Sequence, residues 1–213
     1  MRRRGKNGFT LLEILIGASV LAIFLTGVYQ VYRGVTRSFR QSNWSLTMQT
    51  HARNGLTFLR EEMQRASYKT TINIGSVVVE DDKTMKVREG LTTSDQVIAE
   101  WFIGIPFRTD VPSSGACFKS SVEFSGGKLV YKKALDPGSP PNTLGETLYA
   151  GRVLMENVHS VDLSVSAFDV DSATGSQLVT IAVELRHPEK TQFPNTKVVE
   201  STAAKVDVKV EHL

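Results

Sequence analysis

Residues of the types that carry catalysis are few in this sequence and badly spaced for it. His51, His159, His187 and His212 are scattered, no two at metal-ligand spacing. Each reads as a surface or edge residue. Cys117 is the only cysteine, beside a Gly-Ala pair that reads as a loop and with no histidine near it in sequence. It reads as an unpaired thiol rather than a nucleophile, and it has no second cysteine with which to form an intrachain disulfide. Asp169, Asp171 and Gly175 have the outline of a calcium loop, but Ala173 occupies a ligand position and the closing glutamate is missing. A polar hairpin turn is the better reading there. Phosphate-loop, GxSxG and HExxH patterns are absent. The expectation is a non-enzyme with no metal and no cofactor. One acid stands apart: Glu13, set near the start of an apolar run. A carboxylate in a spanning segment costs about 2.5–3.5 kcal/mol at the bilayer centre and less toward the edge, so its chemistry is that of pairing.

The element that positions Glu13 is the stretch from residue 8 to 29, GFTLLEILIGASVLAIFLTGVY. About 21 apolar or small residues at 1.5 Å rise make a helix of roughly 31 Å, matching a hydrocarbon core of about 30 Å. Arg2, Arg3, Arg4 and Lys6 precede it and charge resumes at Arg33. The cations on the short N-terminal side orient the helix with its N-terminus in the cytoplasm and the remaining chain on the far side. Three readings compete. A cleaved secretory signal would have a shorter apolar region followed by a small-x-small site, whereas Gly17-Ala18-Ser19 lies inside the run. A plain one-pass anchor gives Glu13 nothing to do. The third reading gives it a partner.

Gly8, Phe9, Thr10, Leu11, Leu12 and Glu13, behind a basic leader and ahead of an apolar run, resemble the prepilin leader of type IV pilins and type II secretion pseudopilins. The resemblance implies cleavage between Gly8 and Phe9 by a prepilin peptidase, then N-methylation of Phe9 by the same peptidase/N-methyltransferase. It also implies that Glu13, fifth from Phe9, pairs with the N-terminal amine of a neighbouring subunit and sets axial stagger. The physics agrees, because cleavage creates a cation at Phe9 about one turn from Glu13 and the helix dipole favours the anion there. The formal charge of +3 and pI near 9.0 taken alone would point to nucleic acid. Removing residues 1–8 takes away four cations and turns +3 into −1, so no nucleic-acid binding is expected.

From Tyr29 to about Ser67 the chain should remain helical, since no proline precedes Pro106. Met48, Ala52, Leu56, Leu59, Met63 and Ala66 recur at spacings of three and four and form an apolar stripe that packs on the protein's own β domain. Arg53, Arg60, Glu61, Glu62 and Arg65 are placed on the other faces. Major pilins of the type IVa class usually carry a proline at the twenty-second mature position, which is Gln30 here. Gly17, Gly27 and Gly34 could soften the helix, each by about 1 kcal/mol relative to alanine.

Residues 68–213 read as strands: Ile72–Val79, Thr84–Arg88, Val97–Ile103, Val122–Phe124 paired through Gly126-Gly127 with Lys128–Lys132, Val158–Phe168, Leu178–Leu185 and Lys197–Val210. Residues 104–116, Asp136–Thr147 and Asp169–Gln177 read as loops or turns. The fold expectation is α+β and pilin-like: a long N-terminal α-helix, with a membrane-spanning half (9–29) and an amphipathic half (30–67), packed on a C-terminal antiparallel β-sheet domain (68–213) behind a leader (1–8). The closing strand series also resembles W-class minor pilins and J-type minor pseudopilins. That resemblance implies a low-copy subunit priming the filament or standing near its tip, in a pilus or a secretion pseudopilus. Implied partners are the prepilin peptidase, other pilins or pseudopilins, the inner-membrane assembly platform and the inner membrane itself.

Overall fold

A computed structural model describes residues 9–67, 69–73, 76–80, 85–106, 115–137, 139, 145–166 and 176–213. Among the described residues one helix, α1 (Leu11–Gln64), precedes twelve strands, and the fold is α+β and pilin-like. The strands are β1 (Lys69–Asn73), β2 (Ser76–Glu80), β3 (Met85–Val87), β4 (Gly90–Thr92), β5 (Gln96–Pro106), β6 (Gly115–Ser125), β7 (Lys128–Leu135), β8 (Tyr149–Glu156), β9 (Val158–Val165), β10 (Gln177–Arg186), β11 (Lys197–Val206) and β12 (Val210–His212). The chain divides into two compact units, Met1–Trp44 and Ser45–Leu213.

Within the first unit the described residues are almost entirely α1. Leu11, Ile14, Leu15, Val20, Ile23 and Phe24 are each more than half exposed. Ser19 and Thr26 turn their hydroxyls back to the carbonyls of Ile16 and Ala22, both at 2.8 Å. That removes the polar cost of a hydroxyl on an apolar surface. This part of α1 is long and apolar enough to cross a membrane.

The described residues of the second unit form three sheets. Six strands run β12-β3-β5-β6-β7-β8, four run β11-β10-β9-β4, and β1 pairs with β2. Every described pairing is antiparallel except β12 with β3, which is parallel. The apolar stripe of α1 meets the six-stranded sheet. Ala52, Leu56, Leu59 and Met63 are buried, and Met48, nearer the end of the stripe, is half-buried. Phe58 meets Tyr131 of β7 edge to face at 5.2 Å. Gly55 lets the backbones approach, since a Cβ there would stand 3.1 Å from the Leu154 carbonyl oxygen and 3.0 Å from Met155 Cε. The helix ends in tightened turns, with Arg65 and Ala66 amides bonded to the Glu62 and Met63 carbonyls. Ser67 is stitched to β5 through the Phe102 carbonyl at 2.8 Å and the Gly104 amide at 2.6 Å.

Several sequence expectations shift. The stretch Ile72–Val79 is divided between β1 and β2, which pair from Lys69↔Glu80 to Asn73↔Ser76. Residues 104–106 and 115–116, expected as loop, lengthen β5 and β6, and Cys117 lies inside β6. Strand β8 was not anticipated. Four consecutive residues of it, Ala150–Val153, are exposed, so the inside–outside alternation is lost. The expected strand Lys197–Val210 stops at Val206; residues 210–212 join the other sheet as β12. The leader with Gly8, the 107–114 part of the expected loop, and Asp169, Asp171, Ala173 and Gly175 lie outside the described residues.

Candidate functional site

The N-terminal end of α1 is built around Thr10 and Glu13. Thr10 stands just ahead of the helix, and Glu13 N–H donates to its Oγ1 at 3.3 Å. In return Glu13 Oε2 accepts from the Thr10 amide at 2.9 Å and the Thr10 hydroxyl at 3.0 Å. This is a reciprocal capping box, which satisfies donors that a helix start otherwise leaves orphaned. The spacing Thr-x-x-Glu is its sequence signature, and it went unread beside the larger motif. An anchor therefore does have a use for Glu13, contrary to the reading that left it without one. Phe9 is 85% exposed immediately before this cap. Because the cap uses only Thr10 and Glu13, removal of everything before Phe9 leaves it intact.

Residues 3–29 match the family model described as the prokaryotic N-terminal methylation motif. The chain carries a pilin-type processing signal. That signal supports the type IV pilin and pseudopilin superfamily, whose members are structural subunits, and implies handling by a prepilin peptidase and assembly with other pilins. The signal and the apolar helix fit a membrane-anchored protein. No curated protein and no solved structure matches this chain.

The second unit contains a polar cluster that sequence reasoning missed. Glu62, placed above on the faces away from the apolar stripe, is buried. Its Oε2 accepts from the Tyr131 hydroxyl and lies 3.6 Å from Lys133 Nζ, while Oε1 accepts from Arg65 at 2.8 Å. Its backbone carbonyl accepts from Trp101 Nε1 at 3.1 Å. Lys133, only 2% exposed, donates to Glu146 at 2.7 Å, and Arg65 reaches the same carboxylate at 2.8 Å. Two acids and two cations thus neutralise one another where α1 meets β7 and the segment before β8. Burial pushes the Tyr131 hydroxyl well up, helped by its bond to Glu62. Burial also works to raise the Glu146 carboxyl, but the bonds from Lys133 and Arg65 outweigh it and hold it below the usual range. Each charged group of the cluster thus has at least one partner of opposite sign, with Lys133 buried and the Arg65 side chain 40% exposed at its edge. The helical spacing from Leu59 to Glu62 and Met63 was the available signal, since it places Glu62 on the edge of the buried stripe.

The other titratable candidates stay apart. His51 and His212 are exposed and His159 is half-buried. His187, expected at the surface, is buried against the Phe193 ring at 4.4 Å, and its Nδ1 accepts from the Glu189 amide at 3.1 Å. Cys117 is buried in β6. Among the described residues no group of three His, Cys, Asp or Glu side chains is placed to hold a metal.

Proposed function

We propose that this chain is a minor pilin of a type IV pilus, a non-catalytic subunit that primes the filament or sits near its tip. Residues 1–8 would be the cleaved leader, 9–29 the spanning half of the helix, 30–67 its amphipathic half and 68–213 a periplasmic globular domain. Phe9 would become the methylated N-terminus. The observation that carries this reading is Glu13 at the fifth mature position, heading an exposed apolar helix. A carboxylate there is tolerable beside the cation of a neighbour's terminal amine, and the pairing fixes each subunit's axial position. Two features favour a low-copy subunit over the bulk one: Gln30 where a helix-kinking proline is usual, and a single cysteine in the sequence, Cys117, which rules out the intrachain disulfide that closes a C-terminal loop in many major pilins. Pilus extension, adhesion, motility or DNA uptake would follow downstream. A minor pseudopilin of a type II secretion system uses the same parts.

Mass spectrometry of the mature protein tests the processing half, with a methylated Phe9 expected as the first residue. Finding Met1 or Arg2 there would end the proposal. Assembly is tested by Glu13→Gln, which keeps a hydrogen-bond acceptor for the cap and loses the charge. It should be cleaved normally and left out of filaments. Deletion distinguishes the two machines, by loss of surface pili or loss of exported enzymes.

A further inference from the structure

Beyond the apolar run, α1 changes character, and the change lies outside residues 3–29 that carry the processing motif. From Arg33 to Arg60 the sequence contains no acidic residue, and Arg33, Arg37 and Arg40 follow the run directly. At 100° per residue these three arginines fall within an arc of about 60°, while Val31, Val35 and Phe39 fall on the opposite side. All six are exposed on α1. We infer that Arg33, Arg37 and Arg40 form a binding stripe for anionic phospholipid headgroups in the leaflet at the C-terminal end of the span. This rests on the membrane-anchored reading proposed above.

Axial spacing supports that occupant. A hydrocarbon core of about 30 Å takes about 20 residues from Phe9, ending near Tyr29. Tyr29 and Tyr32, both exposed, then stand where aromatic rings mark a membrane interface. Arg33 lies about 6 Å further on, inside a headgroup layer of about 5–7 Å. Arg37 and Arg40 stand about 12 and 17 Å beyond the core, but helical side chains lean toward the N-terminus, which here is toward the bilayer. Long arginine stems can follow that lean, and the surface potential extends about 8 Å further at physiological salt. The charge balance adds a second reason. Topology is set by cations on the cytoplasmic side, yet three cations sit just past the other end. Before cleavage, four leader cations oppose them; afterwards the leader has gone and they remain. The stripe would then hold the mature subunit at a fixed depth, and extraction into a filament would have to strip it from its lipids.

The test uses mature protein, residues 9–213, in mixed phosphatidylglycerol/phosphatidylcholine vesicles with trace spin-labelled lipid of either headgroup. The immobilised fraction seen by electron paramagnetic resonance gives the relative affinity for the two headgroups. Wild type should prefer phosphatidylglycerol by about fivefold, one cation's worth at an anionic surface, with the preference shrinking in high salt. The triple variant Arg33→Gln/Arg37→Gln/Arg40→Gln should fall to a ratio near 1, with an unchanged far-ultraviolet circular dichroism spectrum and urea midpoint showing an intact fold. A preference that survives the triple substitution, or none in wild type that resists carbonate extraction, overturns the lipid assignment alone. Protein washed out by carbonate overturns the membrane reading along with it. Copies that associate in pure phosphatidylcholine through the same arginines, with no headgroup preference, would give the stripe to an acidic face of a neighbour.

Discussion

Replacing Lys133 with methionine tests whether the buried cluster holds the helix on the sheet. Lys133 is 2% exposed and lies between Glu146 at 2.7 Å and Glu62 at 3.6 Å. Methionine fills nearly the same volume, so the loss is of charge rather than of packing. Removing one partner of a buried ion pair costs about 3–5 kcal/mol, because the remaining charge is stranded. Here Arg65 still contacts both carboxylates at 2.8 Å, which places the expected loss lower, at about 2–3 kcal/mol. For a folded unit of this size that lowers Tm by about 4–12 °C. Mature protein in detergent, carrying Trp44→Phe in every variant so that urea unfolding is followed through the buried Trp101 alone, gives the number. Lys133→Met/Glu146→Gln should recover at least half of the loss, since it removes the stranded charge. A single variant losing under about 1 kcal/mol, or a double variant losing the sum of both singles, would show that the cluster carries no net coupling.

The same cluster predicts a pH dependence. Glu146 titrates below its unfolded value, so its stabilising contribution is present above the unfolded carboxylate range and lost as pH falls through the folded value. Acid unfolding curves should therefore be shallower in Glu146→Gln, checked by circular dichroism between neutral pH and strong acid. Gly55→Val should destabilise by about 2 kcal/mol or more in the same urea assay, because a Cβ already stands 3.1 Å from a backbone oxygen that cannot turn aside. Thr10→Val removes the cap's hydroxyl and should cost helix stability of about 0.5–2 kcal/mol while leaving both cleavage and assembly in place. If Thr10→Val blocks assembly as fully as Glu13→Gln, then the acid acts through the cap and not through a neighbour. Maleimide labelling of Cys117, 2% exposed, should be slow until the protein is unfolded.

The helix was legible because its signals are local: an unbroken apolar run, a stripe at threes and fours, and no proline until Pro106. The β6–β7 hairpin was equally plain, since Gly126 and Gly127 both adopt positive φ, at 57° and 73°. Strand β8 was hidden by its long exposed stretch. The break between β11 and β12 was hidden for a different reason: Val206, Val208 and Val210 keep the alternation that suggests one strand while the chain changes sheets. Glu62 was misplaced because hydrophobic patterning treats every acid as wet. Its burial depends on Lys133 and Tyr131, about seventy positions away, and no window along the chain contains both halves of that pairing. At the N-terminus the processing motif was legible, and so was the Thr-x-x-Glu spacing of the cap; the larger motif drew Glu13 into a single reading that the hydrogen bonds widen.

Strand β12 pairs Val210–His212 with Met85–Val87, and the Val210 amide also donates to Gln177 Oε1 at 2.7 Å, tying one sheet to the other. The contact spans well over a hundred residues of chain, so the entropy of closing that loop is met only after almost all the other strands exist. Until residue 212 is in place, β3 presents a bare edge to whatever strand comes near. A polypeptide threaded slowly, N-terminus first, carries that open seam for most of its synthesis, and a cut or stall before position 210 would leave it open for good.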